Sequence, residues 1–113
     1  MESCIFCKII AGEIPAKKVY EDERVLAFWD ISPIAPVHIL IVPKLHIQSL
    51  AHVDADSLEA AAACLGVVPK LAQELGLGKG FRLISNVGEH GGQTVGHLHF
   101  HLLGGRQLAW PPG

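Results

Sequence analysis

His97-Leu98-His99-Phe100-His101-Leu102-Leu103 places an imidazole at every second position, with an apolar side chain between each pair. Side chains on a β-strand alternate between faces. A strand here therefore turns His97, His99 and His101 to one side and Leu98, Phe100 and Leu102 to the other. The apolar row can enter a core while the imidazole row lines a site. Histidine titrates near neutral pH and can act as nucleophile, acid, base or metal ligand. Three readings compete: an exposed polar face that happens to be rich in histidine, a His-x-His chelate of the three-histidine zinc kind, or nucleophilic catalysis through an imidazole nitrogen. The flanks bear on the choice. Gly91-Gly92-Gln93-Thr94 precedes the row and Gly104-Gly105-Arg106 follows it. Glycines let backbone N–H groups approach an anion, and Gln93 and Thr94 add side-chain donors. That combination suits phosphate and favours phosphoryl chemistry over metal-assisted hydrolysis.

Outward from this strand, apolar and β-branched runs predict further strands over 17–20, 25–30, 38–42 and 81–86, with the histidine strand itself spanning 95–103. Glu21-Asp22-Glu23 reads as a turn, and the two prolines of residues 32–36 require a loop. Residues 4–11 read as a short helix stopped by Gly12. Residues 57–75 carry an apolar stripe (Leu58, Ala61, Leu65, Val68, Leu71, Leu75), with Asp54, Asp56 or Ser57 as N-cap and Gly76 as stop. Pro69 should kink or break that helix. Strands on both sides of one long helix give an α+β fold with an antiparallel sheet of about five strands.

The chain has 113 residues, of which 50% are hydrophobic and 18% charged, with a formal net charge of −2. These values predict one compact domain over 1–113. They supply no basic surface for nucleic acid. No apolar run approaches the roughly 20 residues of a membrane span. Met1-Glu2-Ser3-Cys4 lacks the features of a secretory signal, and three cysteines do not make a full disulfide framework. A reducing cytoplasm is the expected location.

Other residues admit ordinary readings. His38, opening a strand, can be a core histidine satisfied by one partner. Asp30 can be a turn-forming carboxylate beside Ser32-Pro33. Ile5, Phe6, Ile9, Phe28 and Ile31 can simply be core. Cys4-x-x-Cys7 alone is half of a zinc site. His52 and His90 suggest no role beyond solvated loops.

The histidine row resembles the His-φ-His-φ-His-φ-φ signature (φ apolar) of the histidine triad, or HIT, superfamily. The resemblance covers nearly the whole chain. Ile5-Phe6-Cys7-Lys8-Ile9-Ile10, Glu13-Ile14-Pro15, Ala27-Phe28-Trp29-Asp30-Ile31-Ser32-Pro33 and the closing Trp110-Pro111-Pro112-Gly113 are similar to its Hint branch of nucleotide-binding phosphoramidate hydrolases. This implies a HIT-like fold and cleavage of a purine nucleoside phosphoramidate. By the same resemblance His99 attacks phosphorus to form a nucleotidyl-imidazole, and His101 donates to a phosphate oxygen or the leaving group. His38 supports the nucleophile, and His97 completes the catalytic row. Asp30 accepts from the ribose hydroxyls, while Ile5, Phe6, Ile9, Phe28 and Ile31 form the base slot. Asn86, Gly92, Gln93 and Thr94 match the phosphate side, with Thr94 standing where serine is expected. The resemblance also implies a twofold dimer, in which the Trp110 tail reaches the partner's site, and AMP, GMP or their phosphoramidates as ligands.

Some members of the superfamily hold a structural zinc at positions matching Cys4, Cys7, His46 and His97. Many Hint proteins lack both cysteines, so this chain departs from the commoner pattern. The metal would orient the catalytic strand and would not act as a Lewis acid, leaving no catalytic cofactor. Three rival functions are weighed. Dinucleoside polyphosphate hydrolysis, as in the Fhit branch, is disfavoured by the Trp-Pro-Pro-Gly tail. A regulatory nucleotide-binding protein with vestigial turnover has no need of His99. A protein whose histidines are all zinc ligands leaves His99, His101 and His38 unexplained.

Overall fold

The structure, a computed structural model, describes residues 3–113. Five strands, β1 (Lys18–Glu21), β2 (Val25–Trp29), β3 (Val37–Pro43), β4 (Phe81–Ile84) and β5 (Phe100–Gly104), form one antiparallel sheet in the order β1-β2-β3-β5-β4. Helix α1 (Ile5–Ile10) covers one face, and α2 (Leu58–Gly66) with α3 (Val68–Glu74) covers the other. The fold is the expected α+β arrangement, with a short N-terminal helix and one long helical segment. No helix among the described residues is long and apolar enough to cross a membrane.

The long segment is interrupted at Val67. Pro69, which cannot donate an N–H, sits in the first turn of α3, where that loss leaves no helical bond unmade. Ser57 occupies the position before α2 without a side-chain capping bond. Asp54 acts one turn earlier, its Oδ1 accepting from the backbone N–H groups of Asp56 and Ser57 and from the Ser57 hydroxyl. Gly76, at φ +73, ends α3 in the left-handed conformation that glycine adopts without penalty.

The histidine strand is shorter than its pattern. Its ladder begins at Phe100, opposite Ile41, and not at residue 95. Pro43 ends β3 without an N–H to offer, and the chain beyond turns elsewhere for partners: the Leu98 N–H donates to the Ile47 carbonyl at 2.6 Å. Strand β4 likewise stops at Ile84, leaving Asn86 outside the ladder, β2 stops at Trp29, and β1 runs one residue past the expected end. The alternation nevertheless persists through residues 97–99. Leu98, Phe100 and Leu102 join Ile39, Ile41, Ala61, Cys64 and Leu71 in the core under α2 and α3. The histidines face the α1 side, where Phe6, Ile9, Leu26, Phe28, Leu40 and Val42 form a second core.

Candidate active site

Register carries four polar residues into one neighbourhood on the α1 face. His38 lies opposite Leu103 and so diagonal to His101 across the β3–β5 pair, within reach for side chains of this size. Asp30 follows β2, and its N–H donates to the His38 carbonyl at 3.0 Å, continuing the β2–β3 register by one residue. His99 precedes the β5 ladder on the same face as His101, their ring centroids 5.1 Å apart.

Hydrogen-bond partners settle which ring nitrogens carry protons. His99 Nδ1 lies 2.7 Å from the His97 carbonyl oxygen, which can only accept. His99 therefore donates from Nδ1 and keeps its lone pair on Nε2. His97 Nε2 lies 2.8 Å from the Pro43 carbonyl, so the free lone pair of His97 is on Nδ1. The Ile34 N–H donates to His38 Nδ1 at 3.2 Å, leaving the proton on His38 Nε2, which donates to His101 Nδ1 at 2.9 Å. His101 then carries its own proton on Nε2. The four rings form a directed set in which one presents a lone pair and its neighbour presents an N–H.

Burial favours the neutral form of His38, His101 and His97. It pushes His38 below the usual imidazole range, with the Asp30 carboxylate opposing the shift. His101 is pushed down to about 4 by burial, then by His99 and His38, again against Asp30. His97 is lowered by burial, opposed by its bond to Pro43. The Asp30 carboxylate accepts from the Ser32 N–H at 2.7 Å through Oδ1 and stands 3.4 Å from His38 Nε2 through Oδ2. The ligand atoms of Asp30, His38 and His101 all lie within 4.8 Å of one another. Within the cluster the His38 Nε2–H donates to His101 Nδ1, and the His101 Nε2–H and part of the Asp30 carboxylate remain unpaired among the described residues.

Behind His97 lies a second cluster. Cys4 Sγ is 3.3 Å and Cys7 Sγ 3.6 Å from His97 Nδ1, Cys7 Sγ is 3.3 Å from His46 Nδ1, and the two ring nitrogens are 3.1 Å apart. All four donor atoms fall within 4.8 Å of one another. A tetrahedral zinc with ordinary Zn–S and Zn–N bonds has ligand–ligand edges of about 3.3–3.8 Å. The Cys₂His₂ set fits such an ion, because the His97 lone pair already points into it. Burial also lowers His46, keeping that imidazole neutral as a ligand must be. Cys4 caps α1, its sulfur accepting from the Cys7 N–H at 3.3 Å.

The remaining expected residues divide. Phe6, Ile9 and Phe28 are buried in the second core, and the Phe6 ring makes T-shaped contacts with both His97 and His99, with centroids at 5.9 and 5.1 Å. Ile5 is exposed and lines a cleft of about 400 Å³ with Cys4, His46, Gln48 and Thr94. Ile31 is fully exposed beyond Asp30. Gly92 takes φ +78, and Gly91 approaches Val87 so closely that a Cβ would meet its carbonyl oxygen at 2.3 Å.

The expectation that Gln93 offers a free donor is corrected. Its amide donates to the Gln48 and Val95 carbonyls (2.8 and 2.9 Å) and accepts from the Gly88 N–H, so it braces the loop. Thr94 is exposed, Asn86 partly so. Trp110 is 81% exposed, its tail tied to β4 by the Arg82 guanidinium donating to the Ala109 carbonyl. A larger cavity of about 820 Å³, between residues 76–82 and 105–108, contains none of these groups.

Several partners had no signal in the sequence: the Ile34 N–H, the Pro43 carbonyl, and the Ser85 hydroxyl, which donates to the His99 carbonyl at 3.1 Å. Two of these are backbone groups, which look alike in every residue, and the third is a serine hydroxyl with no motif around it, so only the folded register reveals them.

A lone-pair imidazole, His99, beside an N–H-bearing imidazole, His101, on the α1 face of the sheet makes this cluster the candidate site. The chain belongs to the HIT family: the HIT domain model matches residues 11–108. It is similar over 98% of its length, at 54% identity and a TM-score of 0.95, to all of a HIT family hydrolase from Legionella pneumophila. It is 53% identical to a HIT-like protein of Synechococcus elongatus, across 99% of this chain and 98% of that one. It is 50% identical to a 14 kDa zinc-binding protein of Zea mays, across 96% of this chain and 87% of that one.

Proposed function

We propose that the protein hydrolyses the P–N bond of purine nucleoside phosphoramidates, releasing AMP or GMP and an amine. The observation that carries this reading is the His99 tautomer. With Nδ1–H committed to the His97 carbonyl, Nε2 is a free nucleophile in a fixed direction. In this mechanism His99 Nε2 attacks phosphorus, the amine departs, and the positive nucleotidyl-imidazole is stabilised by its Nδ1–H bond. Water then cleaves the P–N bond to His99. His101 Nε2–H donates to a phosphoryl oxygen or the leaving nitrogen, where charge stabilisation is often the largest catalytic contribution. His38 holds His101 in the donating tautomer. Asp30 keeps acceptor capacity for the ribose hydroxyls, Phe6 and Ile5 flank the base, and the loop at Gly92 and Thr94 meets the phosphate.

A zinc ion on Cys4, Cys7, His46 and His97 would be structural, pinning α1 to the strand that carries His99. The zinc-binding relative from Zea mays supports this assignment. We also infer a cytoplasmic homodimer. Phe81 on the edge strand β4, and Trp110 in the tail that Arg82 of the same strand holds through the Ala109 carbonyl, are large apolar side chains exposed in a single chain. Light scattering coupled to size exclusion tests the dimer.

The decisive experiment is release of a fluorescent amine from an adenosine phosphoramidate by the wild type, His99→Ala and His99→Gly. The expected result is turnover in the wild type and loss of several orders of magnitude in both variants while AMP still binds. Equal rates would remove His99 from the chemistry. An AMP-binding wild type without turnover would sink the hydrolase reading.

A further inference from the structure

The reading above gives Asp30 one task, holding the ribose. The geometry points to a second. We propose that Asp30 is also a positioning residue, whose carboxylate sets the direction of the hydrogen bonds running through His38 to His101. The inference rests on the proposed hydrolase reading for its kinetic arm only.

Three contacts carry it. Asp30 Oδ2 lies 3.4 Å from His38 Nε2, the same nitrogen that bonds His101 Nδ1 at 2.9 Å. His38 Nδ1 is occupied from the other side by the Ile34 N–H at 3.2 Å. Asp30 Oδ1 is fixed by the Ser32 N–H at 2.7 Å, in the same short loop that supplies Ile34. Asp30 and His38 side chains are 19% and 5% exposed, so water screens their interaction little.

The His38–His101 pair can hold its shared proton in two ways. On His38, it leaves His101 Nδ1 as acceptor and His101 Nε2–H as donor. On His101, it turns His38 into an anion or forces a proton onto His38 Nδ1, against the Ile34 N–H. A carboxylate beside His38 Nε2 favours a proton there and opposes the second arrangement. The groups facing His101 are His99, His38 and Asp30, and of these only Asp30 is an anion. The carboxylate thus orders the sequence Asp30, His38, His101, phosphate. One residue both senses the ribose and orients the donor that meets the phosphoryl group.

Asp30→Asn separates the two tasks. The asparagine carbonyl still accepts from Ser32, but the amide presents N–H groups or a neutral oxygen to His38 Nε2. Asp30→Ser, whose hydroxyl can also accept from Ser32, is the second variant should the first fail to fold. Each is assayed on an adenosine phosphoramidate and on its 2′,3′-dideoxy counterpart. The expected result is a kcat loss of about tenfold or more on both substrates, as for other groups that orient a catalytic imidazole. If Asp30 acts through the ribose alone, the variants match the wild type on the dideoxy substrate, and the proposal is overturned.

The second arm needs no substrate. Nitrogen-15 spectra of the imidazoles in the full chain should show His38 protonated at Nε2 and His101 at Nε2 in the wild type, and a mixture of tautomers in Asp30→Asn. Unchanged tautomers in the variant overturn the proposal. Should the wild type turn over neither substrate, the hydrolase reading fails and this arm still decides the role of Asp30.

Discussion

Phe6 joins the stability of the fold to the aim of the nucleophile. It lies between Cys4 and Cys7 on α1, is 6% exposed, and makes T-shaped contacts with Phe28, His97 and His99 at centroid distances of 5.8, 5.9 and 5.1 Å. Phe6→Ala removes a buried ring and leaves a void under α1, an expected loss of about 3–5 kcal/mol. Phe6→Leu keeps most of the volume and forfeits the edge contacts, an expected loss of about 1–2 kcal/mol. A domain of this size has about 5–15 kcal/mol in hand, so Phe6→Leu is the variant in which the site can be assayed while folded. Freed on one side, the His99 ring no longer holds Nε2 in a single direction, and misplacement on the ångström scale can lower kcat about a hundredfold. Urea unfolding measures the stability and amine release measures kcat, both with zinc present. A Phe6→Ala loss below about 1 kcal/mol, or wild-type kcat in Phe6→Leu, would refute the packing argument.

Further outcomes follow from the two clusters and the lone third cysteine. Cys4→Ser or Cys7→Ser, or treatment with a strong chelator, should remove about one zinc per chain and lower Tm, read by metal analysis and calorimetry; full metal content in both variants contradicts the Cys₂His₂ assignment. Because the folded pKa of His101 lies near 4 and its unfolded value near 6.5, the unfolded chain binds more protons between those pH values. Stability should therefore fall by about 2–3 kcal/mol as pH drops through that window, and His101→Gln should flatten this part of the curve. Cys64, fully buried, has its thiol pushed up to about 12 by burial. It should resist a disulfide reagent until the chain unfolds, whereas Cys7 should react once the metal is stripped; comparable rates in the folded protein would contradict its burial.

Much of the site was legible because its logic is local. The period-two row of His97, His99 and His101 needs only strand geometry to put three imidazoles on one face, and that alternation survives even where the ladder does not. The glycine and proline punctuation likewise marked Gly12, Gly76 and the break before Pro69, since these residues act through their own backbone. The Cys4-x-x-Cys7 spacing marks half of a metal site, because one helical turn brings those two sulfurs to the same end of α1.

Other features depended on pairing between distant segments. His38 and Asp30 enter the site only through the β2–β3–β5 register, which sets them beside His101 from roughly seventy residues away in the chain. The tautomers, and hence which nitrogen of His99 can attack, follow from the carbonyls of His97 and Pro43 and the N–H of Ile34. The early end of β5, the bracing role of Gln93 and the exposure of Ile5 and Ile31 were decided in the same way. Amino-acid identity by itself determined what chemistry the side chains could perform and which face of a strand they would share. The tertiary structure alone decided where each proton sits, because protons are assigned by partners, and partners are a property of the fold.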